Sequence, residues 1–188
     1  MRRTNLDVDE VLADFVSPAV ALISAVLGRP WILDEEASRT QWDIFAEMDP
    51  EVRAAVFAEI GRPGFANNLQ PIPGSQDFVR ELRKHREVLI VTAPFPSPSW
   101  EADRNAWLGD HFGIPESAIR HARKKDEFAA DEYLDDHPIH VIDWRAAHPK
   151  GHGMLWSTAH NKRLSGYDHL RVHSWDEVLR HVIEGATP

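Results

Sequence analysis

The sequence predicts an α/β fold with a central parallel sheet, and two observations support this prediction. From residue 75 onward, β-branched apolar runs alternate with segments of helical periodicity, as in strand–helix–strand units. The clearest strand is Glu87–Thr92 (EVLIVT), whose continuous apolar run is typical of a strand buried on both faces. The 188 residues give room for one domain of ordinary size, or for a core domain with a small insert.

The N-terminal third predicts one short strand followed by an insert. Residues 3–7 are expected to form the first strand, and the mostly helical residues 15–70 separate it from the next one. We therefore expect residues 15–70 to form a small helical cap, and residues 1–14 and 71–188 to form the core domain. The cap would cover the carboxyl ends of the strands, which is the edge where open α/β sheets bind ligands.

Helix boundaries in the insert follow from capping residues. Ser17 and Asp49 are good N-caps, and each is followed by a proline that suits the first helical position. Gly28 and Gly61 are suitable helix stops.

Later segments predict three more helices and short strands. Helices are expected to start at Ser75, near Trp100 and at Ser174, where a capping box precedes apolar residues at helical spacing. Residues 139–142 (IHVI) are expected to form or continue a strand, and residues 154–156 (MLW) form another short apolar piece.

The composition argues against several kinds of partner. The sequence is 43% hydrophobic and 27% charged, which is typical of a chain that forms a globular core. No apolar run reaches the ~18 residues of a membrane span. The net charge of -9 disfavours a nucleic acid partner, whose binding draws on clustered Lys and Arg. Since the N-terminus has no apolar signal region and the chain has no cysteine, we expect a cytoplasmic protein.

Two carboxylates follow the first strand with one residue between them. Residues i and i+2 of a strand point to the same side, so Asp7 and Asp9 can face one pocket. If the strand ends at Asp7, the following loop can still turn Asp9 in beside it. Adjacent carboxylates in an apolar environment repel each other unless a cation or a proton lies between them. The pair alone is also compatible with a polar turn, so the metal-site interpretation depends on other residues.

Further polar residues occupy the ends of later predicted strands. Thr92 ends the second strand, and Lys125 precedes a third strand that ends in Asp135 and Asp136. Because the carboxyl ends of parallel strands meet at one edge of a sheet, these residues can converge on one crevice. Paired carboxylates, a hydroxyl, an ammonium group and a metal-binding carboxylate form a set suited to phosphoryl transfer.

Alternatives stay open for individual members of this set. Asp143 also follows an apolar run, so it is an alternative metal ligand, although the spacing from Lys125 favours Asp135 and Asp136. Taken singly, Thr92 is compatible with a plain turn residue, and Lys125 with a solvated charge run.

The chain resembles the haloacid dehalogenase superfamily of phosphatases and, within it, the 5'(3')-deoxyribonucleotidase family. The matching pieces are DVDEVLADF (7–15), NNLQPIPGSQDFVREL (67–82), VLIVTAP (88–94), KKDEFAADEYLDD (124–136), STAHNKRL (157–164) and HSWDEV (173–178). The resemblance implies a three-layer Rossmann-like fold with a central parallel sheet and a small helical cap inserted after the first strand.

The resemblance also implies the roles of the acidic residues. Asp7 would be the nucleophile that forms an aspartyl-phosphate, and Asp9 would act as general acid and then as general base. Mg²⁺ would be held by the Asp7 carboxylate, the Asp9 backbone carbonyl and Asp136, with Asp135 as a supporting partner.

A second group of residues would bind the substrate. Thr92 and Lys125 would bind the phosphate group, and an aromatic residue at position 15 would pack against the base. The substrate-binding candidates are Phe15, Trp42, Phe45, Thr92, Ala93 and Lys125.

The implied activity is Mg²⁺-dependent hydrolysis of (deoxy)ribonucleoside monophosphates to nucleoside and phosphate. The partner would be this small-molecule substrate, and the resemblance suggests a homodimer. One alternative is a phosphatase for another small phosphate ester, such as a sugar phosphate or a modified nucleotide. A second alternative is a non-catalytic nucleotide-binding protein with the same fold.

One residue departs from the family pattern, which usually has glycine after the second aspartate of the first motif. Glu10 stands there, in a tight turn where the backbone freedom of glycine is favoured. Glu10 is expected either to turn outward without effect, or to point inward and narrow the substrate range. In the inward case, its charge would raise the pKa of Asp9 by like-charge repulsion.

Overall fold

The computed structural model describes residues 2–32, 43–46, 48–159, 161–162 and 164–184. Its strands are β1 (Arg3–Leu6), β2 (Ala13–Asp14), β3 (Gln70–Pro71), β4 (Glu87–Thr92), β5 (Ile119–His121), β6 (Glu132–Asp135), β7 (His152–Trp156) and β8 (Arg171–Val172). Six of them form the central sheet in the order β5-β4-β1-β6-β7-β8, with all neighbouring strands parallel, and β2 and β3 form a separate antiparallel pair. The predicted α/β fold with a central parallel sheet is confirmed.

Six α-helices accompany the sheet in the described residues. They are α1 (Val16–Leu27), α2 (Pro50–Ile60), α3 (Ser75–Leu82), α4 (Trp100–Phe112), α5 (Pro138–Ala147) and α6 (Trp175–Glu184). The predicted capping box opens α6, because the Glu177 backbone N–H donates to Ser174 Oγ (3.2 Å) and the His173 N–H donates to Glu177 Oε2 (2.7 Å). Within the described ranges, no helix combines the length and the apolar character needed to cross a membrane.

The insert and the sheet bury separate apolar clusters. Helices α1 and α2 pack on each other between β2 and β3, around Ile23, Val56 and Ile60. The sheet and its flanking helices enclose a larger cluster of strand and helix residues. Trp100, at the start of α4, belongs to the cluster of α1 and α2. The division into a core domain and a cap of residues 15–70 stays a prediction.

The strand expected at residues 139–142 is wrong, because this segment lies in α5. Pro138 takes the first helical position, and the His137 side chain accepts the Ile139 N–H. Val141 and Trp144 are buried whereas Ile142 and Asp143 are exposed, a spacing that belongs to a helix. The β-branched residues of this segment had suggested a strand. Asp143 is therefore an exposed helical residue, outside the buried group of Asp7, Asp135 and Asp136 carboxylates.

Candidate active site

Asp7 and Lys125 meet at the carboxyl end of the sheet. Asp7 directly follows β1, and its N–H donates to the Leu134 carbonyl of β6 (3.0 Å), which fixes its position against the neighbouring strand. Lys125 lies on a short 3₁₀ turn, and its side chain is almost fully buried. Its Nζ is 2.7 Å from Asp7 Oδ1 and 2.7 Å from Asp135 Oδ2.

A cluster of three buried carboxylates surrounds this contact. Carboxylate oxygens of Asp7, Asp135 and Asp136 all lie within 4.8 Å of one another, and each residue is at most 5% exposed. The oxygens of Asp135 accept hydrogen bonds from Lys125 Nζ, from the Tyr133 hydroxyl and from the His137 N–H (2.7 Å). Asp135 is thus held by its neighbours, whereas Asp7 and Asp136 line the cavity described below.

Burial and charge set the protonation of this cluster. Burial raises the pKa of Asp7 to about 7; Lys125 opposes the shift, and Asp135 and Asp136 add to it. Burial also acts to raise the pKa of Asp135, but Lys125 and His140 outweigh it and hold that pKa below its usual range. Burial lowers the pKa of Lys125, but the Asp135 and Asp7 carboxylates together raise it above its usual range. Lys125 is therefore an ammonium group at neutral pH.

Asp9 pairs with a residue that the sequence interpretation missed. Arg104 of α4 is fully buried, and its Nη2 donates to Asp9 Oδ1. The guanidinium carbon lies 5.1 Å from the Trp100 ring centroid and 5.5 Å from that of Trp107. The signal was present in the sequence, because Arg104 falls in the apolar stripe formed by Trp100, Trp107 and Leu108. Burial raises the pKa of Asp9, and Arg104 opposes this.

Glu10 lies in the left-handed region of the backbone, with φ = 58°. Its Oε1 accepts the N–H groups of Phe15 (2.9 Å) and Val16 (2.8 Å), so the carboxylate binds the start of α1. The prediction of Ser17 as N-cap is wrong, because α1 begins at Val16 with Phe15 in the N-cap position, two residues earlier. Glu10 also lines the cavity, and the largest like-charge effect on the pKa of Asp9 comes from Asp136.

A cavity of about 460 Å³ opens beside these carboxylates. The predicted residues Phe15, Phe45, Thr92 and Ala93 line it, and Trp42 lies outside the described residues. Thr92 Oγ1 is buried and has no hydrogen-bond partner within the described chain. The remaining lining residues that sequence interpretation did not single out include Phe57, Phe95, Trp100, Arg123, His137 and His140.

Four rings that contact one another in series line part of the cavity, which we call its aromatic end: Phe15, Phe45, Phe57 and Phe95. Phe57 makes edge-to-face contacts with Phe45 (ring centroids 5.0 Å apart) and with Phe95 (5.2 Å). Phe15 contacts Phe45 in the same way at 6.4 Å. Nearer the carboxylates, the rings of His137 and His140 stack with centroids 4.2 Å apart. Burial, followed by the neighbouring His140, lowers the pKa of His137 to about 4, so this imidazole is neutral at physiological pH.

Asn161 supports the loop that follows β6. Its side-chain amide donates to the backbone carbonyls of Asp136 (2.8 Å) and Trp156 (2.8 Å), and its Oδ1 accepts the Thr158 N–H (3.0 Å). Arg171 of β8 in turn donates to Asn161 Oδ1 (2.9 Å) and to the Asn161 carbonyl (2.7 Å). One fully buried side chain thus joins the ends of β6 and β7.

The parallel sheet, with an aspartate pair after β1 and a lysine and acidic pair around β6, is the arrangement that the resemblance to the haloacid dehalogenase superfamily implies. A family model described as 5' nucleotidase, deoxy (pyrimidine), cytosolic type C protein matches residues 4–186. The chain belongs to this family, and it is a phosphoric monoester hydrolase of the 5'-nucleotidase type.

Similar proteins agree with this assignment. The 5'(3')-deoxyribonucleotidases of Bacillus subtilis (strain 168) and of Bacillus phage SPbeta are each 29% identical over 181 residues, covering 95% of this chain and 96% of theirs. A haloacid dehalogenase-like hydrolase from Streptococcus pneumoniae shares the fold with a TM-score of 0.64 at 12% identity, over 96% of this chain and 98% of that one. The hydrolase YfnB of Bacillus subtilis, solved with bound magnesium, matches with a TM-score of 0.58 at 19% identity, over 97% and 99% of the two chains.

Proposed function

We propose that this protein is a Mg²⁺-dependent phosphatase that hydrolyses (deoxy)ribonucleoside monophosphates to nucleoside and phosphate. The observation that carries the proposal is the position of Asp7. Its carboxylate lies 2.7 Å from Lys125 Nζ, within a buried acidic cluster, and it lines one end of a cavity whose other end is aromatic. A phosphate group at the acidic end would leave the aromatic end for the base.

The donor set suits Mg²⁺. The ion prefers oxygen ligands and keeps several waters, so two carboxylates and one carbonyl suffice. Asp7 and Asp136, with the Asp9 backbone carbonyl, would hold it. The clustering of Asp7, Asp135 and Asp136 oxygens within 4.8 Å supports this assignment, because Lys125 offsets only part of the repulsion among three buried carboxylates and a bound cation would offset the rest. When bound, Mg²⁺ would neutralise the repulsion between the Asp7 carboxylate and the substrate phosphate.

The residues of this chain would share the chemistry in two steps. In the first, an Asp7 oxygen attacks phosphorus and the bond to the sugar oxygen breaks, while Asp9 gives its proton to that oxygen. In the second, Asp9 takes a proton from water, whose oxygen attacks phosphorus and releases Asp7 from the aspartyl-phosphate. Lys125 and the Thr92 hydroxyl, which has no hydrogen-bond partner among the described residues, would donate to the phosphate oxygens.

The aromatic end of the cavity favours a nucleoside over a sugar phosphate. Stacking of a base on an aromatic side chain is worth about 1–3 kcal/mol. Phe15, Phe45, Phe57 and Phe95 line this end, and a sugar would leave these faces without a partner. We include residues 15–70, which supply the first three of these rings, in the proposed cap.

A phosphate-release assay tests the proposal. Purified protein would be given a panel of nucleoside monophosphates and sugar phosphates, with Mg²⁺ and with a chelator. We expect release from nucleoside monophosphates only with Mg²⁺, and no release by Asp7→Asn. Equal activity on sugar phosphates, activity without a divalent ion, or an active Asp7→Asn variant would each contradict the corresponding part of the proposal. The cytoplasmic location and the homodimer stay predictions; light scattering of the purified protein tests the second.

A further inference from the structure

We propose that Arg104 is a positioning residue that holds the Asp9 carboxylate in place for proton transfer to the leaving group. This inference rests on the proposed function, because it concerns the residue assigned there as the general acid. Arg104 touches Asp9 and not the cavity, so it acts through Asp9.

The contacts of Arg104 are those of a fixed support. The residue is fully buried, and the guanidinium lies near both the Trp100 and Trp107 rings, at 5.1 Å and 5.5 Å. Trp107 is fixed in turn, because its Nε1 donates to the Leu69 carbonyl at 2.7 Å. A guanidinium enclosed in this way has little freedom to move, so the oxygen that it binds on Asp9 is also fixed.

Fold stability does not account for this arginine. The helix face of Trp100, Trp107 and Leu108 is buried, and an apolar side chain at position 104 would continue it. Arg104 Nε and Nη1 are buried without a hydrogen-bond partner in the described part of the chain. A buried ion pair is often matched or exceeded in stability when apolar residues of similar volume replace both of its members, so stability alone does not explain the Arg104–Asp9 pair. Among the described residues, the one polar side-chain contact that Arg104 makes is with Asp9.

A comparison of two leaving groups separates positioning from packing. A nucleoside leaves as an alkoxide that needs a proton, whereas the nitrophenolate of p-nitrophenyl phosphate leaves without one. The ratio kcat/KM reports the steps up to departure of the leaving group. We expect Arg104→Met to lower kcat/KM about 30-fold to 100-fold for the best nucleoside monophosphate, because a misplaced acid loses part of the roughly 10²-fold to 10⁴-fold that general acid catalysis contributes. For p-nitrophenyl phosphate, which does not use the acid in this step, the loss should stay within about threefold.

Three further variants complete the design. Arg104→Gln would be made in parallel, in case Arg104→Met does not fold, and melting temperatures would be measured for both. Arg104→Lys keeps the charge and one donor, so it should restore most of kcat on the nucleotide, which a residue that only fills space would not do. Arg86→Met is the matched control, because Arg86 is also buried and paired with a carboxylate, Glu132, but at the opposite end of the sheet. It should affect both substrates equally.

The outcomes are distinguishable. If the wild type releases no phosphate from nucleoside monophosphates, the proposed function fails whatever the Arg104 variants do. If the wild type is active but Arg104→Met lowers kcat/KM equally for both substrates, or for neither, Arg104 is a structural residue and the inference is overturned. The same conclusion follows if neither Arg104→Met nor Arg104→Gln folds. If the wild type does not accept the aryl phosphate, a fall in kcat with KM within about threefold, rescued by Arg104→Lys, supports positioning; a rise in KM alone overturns it.

Discussion

An arginine is buried beside a carboxylate at each end of the central sheet, but the two arginines differ in how many of their nitrogens are hydrogen-bonded. At the amino end, every nitrogen of Arg86 donates a hydrogen bond, and its main partner, Glu132, also accepts from the Thr4 hydroxyl at 2.8 Å. At the carboxyl end, Arg104 makes one polar contact and leaves two nitrogens without a partner in the described residues.

The acidic residues show the same contrast. Glu132 lies within a neutralised network, whereas Asp7 lies close to Asp135 and Asp136 with only Lys125 between them. A fully satisfied network is what a fold needs in its core. An incompletely compensated one is unfavourable unless a ligand completes it, so the difference marks the carboxyl end as the functional end of the sheet.

The largest effect expected from breaking this contrast is the loss of activity in Asp7→Asn. The amide cannot attack phosphorus, so we expect phosphate release to fall by at least about 10⁴-fold, as when a catalytic nucleophile is removed. The melting temperature of the metal-free variant should rise, because the substitution removes a buried charge close to Asp135 and Asp136. The assay is phosphate release with thermal melts at pH 8. A lower melting temperature would show that the charge of Asp7 is balanced by its neighbours to the same degree as the charge of Glu132.

The matched substitution at the amino end is Glu132→Gln, for which we expect lower stability and unchanged activity, the opposite of Asp7→Asn. It leaves Arg86 buried without its counter-charge, so we expect the free energy of unfolding to fall by about 3 kcal/mol. Activity per folded molecule should stay near that of the wild type, because Glu132 lies away from the cavity. Urea unfolding with a specific-activity measurement tests both statements. An unchanged unfolding free energy would mean that the network is not stabilising.

A pH series should show a smaller effect, also confined to the carboxyl end. The pKa of Asp7 is about 7 in the metal-free fold, against about 4 for an unfolded aspartate. Between these values the native state binds more protons, so this group makes the fold less stable as pH rises from about 4 to about 7. His137, whose pKa is lowered to about 4, acts in the opposite direction over part of this range.

The contribution of Asp7 is therefore measured as a difference between two proteins. We expect the melting temperature of metal-free Asp7→Asn, minus that of the wild type, to increase from pH 4 to pH 7 and then to level off. Saturating Mg²⁺ should lower the apparent pKa and move this transition to lower pH. A difference that is constant with pH would contradict the raised pKa of Asp7.

The smallest effect is expected at Glu10. In Glu10→Gly, two contacts from the carboxylate to the start of α1 are lost, but the positive φ of 58° becomes unstrained. Each term is worth about 1 kcal/mol, so we expect the unfolding free energy to change by less than that. The pH profile of kcat should match that of the wild type. A shifted profile would show that the Glu10 charge does act on Asp9.

The sequence was sufficient to predict which residues would meet at the carboxyl end of the sheet, because their positions depend on where the strands end. Asp7, Thr92 and Asp136 lie at the ends of parallel strands or directly after them, and a parallel sheet brings such positions to one edge; Lys125 joins them from the turn between β5 and β6. It was not sufficient for α5, because Val141 and its β-branched neighbours suit a buried strand as well as a buried helix face.

Contacts between distant parts of the chain could not be predicted from the sequence either. Phe57 and Phe95 are adjacent in the cavity, but nothing in the local pattern of either segment predicts their contact. The pairing of Arg86 with Glu132 depends on the order of strands in the sheet, which the sequence interpretation did not specify. Arg104 was the exception, since a charged residue in an apolar helix stripe is a local signal.

The amide of Asn161 has a consequence for how the protein would tolerate change. It donates a hydrogen bond to the carbonyl of Asp136, and the Asn161 side chain in turn accepts one from Arg171 in the edge strand β8. The C-terminal segment therefore supports the loop that we propose to bind Mg²⁺, although none of its described residues lines the cavity. We expect insertions between β7 and β8 to weaken Mg²⁺ binding before they unfold the sheet, so the affinity for the proposed ion is the more sensitive measurement of damage there.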